Sequence, residues 1–124
     1  MSLLDPDTKK ILDNLYTNNH IIIVEILNKI VSNKASMDIS QWVSLIISQM
    51  VNVEKIAVSG VQKRLLVIEL IILVIERDLL VSADDKANLI SLIRTMSPSI
   101  IELVIYASQN INKTTTNCFK KCFK

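Results

Sequence analysis

Glycine occurs once in this 124-residue chain, at position 60, and histidine once, at position 20. Cysteine occurs twice, both in the last seven residues, and proline twice. These scarcities exclude several kinds of chemistry. A P-loop, a dinucleotide-binding fingerprint and a glycine-rich kinase loop each need several glycines, so that backbone N–H groups can approach a phosphate. Gly60 alone builds none of them. A structural zinc site needs four tetrahedral ligands, which two cysteines and one distant histidine do not supply within one chain. Any Ser/His/Asp arrangement would rest wholly on His20, whose neighbours Asn18 and Asn19 place it at an expected helix start, where capping or exposure is the commoner role. No cofactor is expected, and an enzyme is the least favoured class.

Concentrated charge is also lacking. A net charge of +2 is too small for the basic face that nucleic-acid binding normally requires. The start of the chain mixes Asp5, Asp7, Lys9 and Lys10 with no apolar run directly after them, so no signal peptide is expected. The cysteines are therefore read as reduced thiols in a cytosol-like compartment. The most apolar run, residues 65–75, contains Glu69 and is flanked by Lys63, Arg64, Glu76 and Arg77. That is short of the roughly 20 apolar residues a spanning helix needs, so no transmembrane helix is expected either.

Aliphatic residues fill the space these absences leave. Isoleucine, leucine and valine supply 46 of the 124 residues. A chain of this length forms one domain and buries about two-thirds of the surface its unfolded state exposes. The excess predicts apolar surface covered by a second copy, another protein or a lipid surface.

Capping chemistry marks the helices. Asp5-Pro6 reads as an N-cap followed by proline at the first helical position. Asp38 with Gln41, and Ser59 with Gln62, have the spacing of a capping box. Ser82 precedes Asp84 and Asp85, two acids placed where a helix dipole favours them. Ser97-Pro98 repeats the cap-plus-proline pattern, and Thr17 or Asn18 offers a weaker start. Apolar residues recur at three- and four-residue steps between these starts, as in Ile22, Ile23, Ile26, Leu27 and Ile30. Scarce glycine and missing Asn-Gly and Asp-Gly turns argue against a β fold rich in isoleucine and valine. The expectation is an all-α, compact bundle of five to six helices over residues 1–112, with a central hydrophobic helix at about residues 60–80. On that helix Gln62, Glu69 and Glu76 stand seven apart and form one polar stripe. Glu69 reads as a member of that stripe, or as a buried carboxylate paired with a base on a partner.

Two further features are candidate sites. Trp42, the sole tryptophan, reads as a core residue whose indole N–H finds a carbonyl, with an interface anchor as the sharper alternative. Residues 113–124 form a basic Cys/Phe/Lys tail with a tandem element, Cys118-Phe119-Lys120 and Cys122-Phe123-Lys124, and Lys121 between. Lysines interleaved with aromatic rings can hold an anionic membrane surface, and acylated cysteines would strengthen that hold. A solvated, frayed terminus is the plainer reading.

Two stretches together resemble a known group. One is Val53-Glu-Lys-Ile-Ala-Val-Ser-Gly-Val-Gln-Lys-Arg-Leu-Leu-Val-Ile-Glu-Leu70. The other is Ser97-Pro-Ser-Ile-Ile-Glu-Leu-Val-Ile-Tyr-Ala-Ser-Gln-Asn-Ile-Asn-Lys113. Their order resembles small helical proteins of giant nucleocytoplasmic large DNA viruses, mimivirus-like in kind. That resemblance implies a viral origin, a virion or assembly role, and a place in the host cytoplasm or the virion. It carries over no catalytic residue. The functional expectation is a non-enzymatic structural or interaction protein, acting through apolar helix faces as a homo-oligomer or with another protein. A peripheral membrane adaptor anchored by the tail is the alternative, and nucleic acid is disfavoured as a partner.

Overall fold

The computed structural model describes residues 4–32, 39–111 and 123. Four helices make the fold: α1 (Pro6–Ser32), α2 (Ile39–Val53), α3 (Gly60–Asp78) and α4 (Ala83–Ile111). No strand occurs among the described residues. The all-α expectation holds, but the helix count is four rather than five to six.

Three of the expected starts behave as caps. The Thr8 N–H donates to Asp5 Oδ1 at 2.7 Å. The Gln62 N–H donates to Ser59 Oγ and the Asp85 N–H to Ser82 Oγ, each at 3.1 Å. Each bond satisfies a donor that a helix N-terminus otherwise leaves unpaired. Hydrogen bonds from the Thr8 side chain and backbone hold the Asp5 carboxyl below its ordinary value. That contribution to stability is present above the unfolded carboxyl range and is lost as pH falls through the lowered value. Asp38, the expected cap of α2, lies outside the described residues.

The two surplus starts are absorbed into longer helices for different reasons. Within α1, Thr17 Oγ1 donates to the Asp13 carbonyl at 3.0 Å and Asn19 Nδ2 to the Leu15 carbonyl at 2.9 Å. Side chains that bond back four residues are occupied inside the helix and do not cap a new one. Within α4, Pro98 sits in the helix interior, where the lost hydrogen bond and ring clash typically cost ~3 kcal/mol. Beyond it Ile100, Ile101 and Ile105 are buried, and burial of such a side chain contributes about 1.5–3 kcal/mol. Three of them outweigh one proline, so the helix continues. α2 ends at Val53, where the chain turns with the Ile56 N–H on the Val53 carbonyl at 3.1 Å.

The expected central helix is α3. It packs against α1, α2 and α4, while α2 also touches α1 and α4. Leu66, Val67, Ile68, Leu70, Ile71, Ile72, Val74 and Ile75 are all buried. They join Ile23, Leu27, Leu45, Ile46, Met50 and Ile93 in one core. Each member of the polar stripe meets a different neighbour at the edge of that core. Gln62 Oε1 accepts from the Asp5 N–H at 3.4 Å, Glu69 pairs with Arg94 at 2.8 Å, and the Glu76 carbonyl accepts from Lys86 Nζ at 2.9 Å. Glu69 thus finds its base within the chain. Lys63 is buried at the start of α3, and its ammonium donates to the Glu54 carbonyl at 2.5 Å, closing the turn from α2.

One helix bears on the expectation about membranes. Residues Ala83–Ala107 of α4 are long and apolar enough, by length and composition, to cross a membrane. The densest aliphatic run lies in α3, but α4 spreads its apolar residues over more turns, with Arg94 and Glu102 as isolated charges beyond its first turn. In the bundle α4 gives Ile93, Ile100, Ile101 and Ile105 to the core and engages α3 through Arg94.

Trp42 is 1% exposed and belongs to that core, so its ring is not a surface anchor. Its Nε1 meets no hydrogen-bond partner among the described residues, contrary to the expected carbonyl. Trp42→Ala should therefore cost about 3–5 kcal/mol, the usual range for emptying a buried aromatic site. Trp42→Phe should cost much less, since no hydrogen bond is lost. Urea midpoints of the two variants check this, and equal losses would mean that Nε1 has a partner.

Candidate interaction surfaces

Among the described residues no group of three or more His, Cys, Asp or Glu side chains is placed to hold a metal ion. What the fold does present is a set of apolar surfaces and two polar clusters.

The most developed surface is a groove between α1 and α2. Its upper part, about 410 Å3, is lined by Asn19, Ile22, Ile26, Ser48, Gln49, Val51 and Asn52. Ile26 and Ser48 also border a second part of about 240 Å3 that runs on towards Lys29 and Ser40. The groove exists because α1 turns Ile23, Leu27 and Ile30 inwards, which leaves Ile22 and Ile26 beside α2. Ile22 is 60% exposed and Val51 52%. A string of amides and hydroxyls binds the two walls. Asn52 Nδ2 donates to Asn19 Oδ1 at 3.3 Å and to Gln49 Oε1 at 3.1 Å. Gln49 Nε2 in turn donates to Ser48 Oγ at 3.1 Å. The polar string consumes donors and acceptors that would otherwise face the groove, so its open surface is chiefly aliphatic.

A second surface lies on α4, where Pro98, Ser99, Glu102, Leu103 and Tyr106 border an open depression of about 500 Å3. Leu103 is 67% exposed there. Of the most apolar 18 residues of this helix only 28% are buried. Much of the aliphatic excess is therefore on the outside.

His20 does not start a helix. It lies in mid-α1, stacked on Tyr16 with ring centroids 4.8 Å apart, and its Nδ1 stands 3.6 Å from Asp78 Oδ2. The Tyr16 hydroxyl lies 2.9 and 2.8 Å from the two oxygens of the same carboxylate, and the Arg77 guanidinium lies over the Tyr16 ring at 5.0 Å. This cluster fastens the middle of α1 to the end of α3. The only hint in the sequence was the four-residue step from Tyr16 to His20, which stacks side chains on one helix face. Partners 62 residues away leave no local signal.

Of the tail, Phe123 alone lies within the described residues. Its ring is wholly buried, so as placed it is not the exposed aromatic that membrane insertion requires. Arg64 Nε donates to its carbonyl, and the Arg64 guanidinium also pairs with Glu102. Cys118, Phe119, Lys120, Lys121, Cys122 and Lys124 lie outside the described residues.

Comparison of the chain with protein-family models, curated proteins and solved structures finds no match.

The Asp78 carboxylate, by hydrogen bond first and by charge in addition, raises the Tyr16 phenol above its ordinary value. A raised phenol favours the protonated, folded form. Its contribution is full below the unfolded phenol range and disappears as pH rises through the folded value. Spectroscopic titration should place Tyr16 above the ordinary phenol range. Asp78→Asn should bring the Tyr16 midpoint down, and an unmoved midpoint would show that the carboxylate is not the cause.

Proposed function

We propose that this protein is a non-enzymatic structural or interaction protein that works by burying an apolar helix face against a second copy or another protein. The observation that carries this reading is the α1–α2 groove, with Ile22 and Val51 more than half exposed beside it. Ile21 stands next to them on α1 and is also exposed. Two exposed aliphatics lining a concave surface, with a third close by on α1, favour association over a lone globule. The resemblance to proteins of large DNA viruses supplies a setting, as a virion or assembly component in the host cytoplasm or the particle.

A second reading, a peripheral membrane adaptor, draws on the outer face of α4, where the apolar residues reach membrane-spanning length. The burial of Phe123 weighs against the tail as its anchor.

Solution mass across a dilution series spanning micromolar concentrations tests the leading reading. The intact chain should exceed its 14.0 kDa monomer mass at the concentrated end. Ile22→Asp with Val51→Asp should return it to the monomer with helicity unchanged, because both positions already face water. A strict monomer throughout removes self-association and leaves a different protein as the partner. Flotation with anionic vesicles that is lost on deleting residues 113–124 would favour the adaptor instead.

A further inference from the structure

Phe123 reaches the core by an unusual route. It lies twelve positions beyond the end of α4, yet its ring is 0% exposed and belongs to the same apolar cluster as α3. Two separate features hold it. The ring is enclosed, and its main-chain carbonyl accepts a hydrogen bond from Arg64 Nε. The Arg64 guanidinium is itself set by the ion pair with Glu102, so α3 and α4 together orient the donor.

A main-chain hydrogen bond to fix register, combined with a pocket for one side chain, is the division of labour found in sites that recognise extended peptides. Burial alone would hold the ring, while the hydrogen bond from Arg64 also fixes where the main chain lies. The clasp is also placed where it can open. The Arg64 and Glu102 side chains are 29% and 60% exposed, so water and salt compete with their pairing. The enclosed ring, by contrast, is held by non-directional burial.

We propose that the α3–α4 side of the bundle is a binding site for a phenylalanine-bearing peptide, occupied in this chain by its own Phe123 as a releasable plug. Arg64 reads the carbonyl and Glu102 positions Arg64. Release empties an apolar site on the bundle. This goes beyond the groove reading and does not depend on it, since the groove lies between α1 and α2.

The test begins with the intact chain carrying 4-fluorophenylalanine at position 123. A soluble paramagnetic reagent should broaden its fluorine signal several-fold less than that of the free peptide of residues 113–124. Arg64→Met keeps the aliphatic stem and removes every donor, and should bring the broadening towards the peptide value with helicity unchanged. A fluorine signal in the intact chain as exposed as in the peptide would overturn the proposal, and protection equal in the intact chain and in Arg64→Met would overturn the clasp. The second arm adds fluorinated 113–124 peptide to the Phe123→Ala chain. Saturable binding, absent for the peptide whose own Phe123 is alanine, supports a peptide site. Should Phe123→Ala lose its fold, recovery of helicity on adding the peptide gives the same support. Neither binding nor recovery at millimolar peptide would show Phe123 to be a fixed part of the core.

Discussion

The fold depends on covering α3. A helix whose buried residues include Leu66, Val67, Leu70, Ile71, Val74 and Ile75 presents apolar side chains over most of its circumference, and an isolated helix has no way to hide them. Three neighbours are needed, and the chain supplies three. The polar positions Gln62, Glu69 and Glu76 mark where this cover stops. Gln62 meets Asp5 just ahead of α1, while Glu69 and the Glu76 carbonyl both meet α4, so the stripe works as a seam along which α1 and α4 are registered against the centre. Glu69 with Arg94 illustrates the rule: a carboxylate at the edge of an aliphatic core is tolerated because its base is close and partly in water.

The same economy shapes the outer helices. Each turns one row of side chains towards α3 and has no internal layer for the remainder. On α1 the inner row is Ile23, Leu27 and Ile30, which leaves Ile21 and Ile22 outside; on α4 it is Ile93, Ile100, Ile101 and Ile105, which leaves Leu103 outside. A four-helix arrangement around one helix thus cannot absorb 46 aliphatic residues, and the surplus becomes surface.

The sequence was most legible where structure is local. Ser59 and Ser82 cap the helices their spacing predicts, and the central helix lies within two residues of its expected end. Legibility failed where one residue type serves two purposes. Thr17 and Asn19 have the composition of a helix start but spend their side chains on carbonyls one turn back. Ser97-Pro98 has the form of a cap, yet buried isoleucines on both sides carry the helix through it. Sites assembled from distant segments left almost no trace in the linear pattern. Tyr16 meets Asp78, Asn19 meets Asn52, and Arg64 meets Phe123, and in each case only tertiary packing makes the pair. Trp42 stood between these cases, since its burial was readable and the lack of a partner for its N–H among the described residues was not.

Pro98 has one more consequence. A proline inside a helix removes the N–H that would bind the carbonyl four residues earlier, at Arg94, so the hydrogen-bond ladder of α4 has a gap near its midpoint. Cooperativity along a helix is carried by that ladder, and a gap divides the helix into two units able to open separately. The first half is tied to α3 by Arg94 and Ile93, while the second bears Glu102, the residue that orients Arg64. Local opening of the second half would carry Glu102 away from its partner without disturbing the first. What reads in the sequence as a boundary between two helices persists in the folded chain as a gap in the hydrogen-bond ladder of one continuous helix.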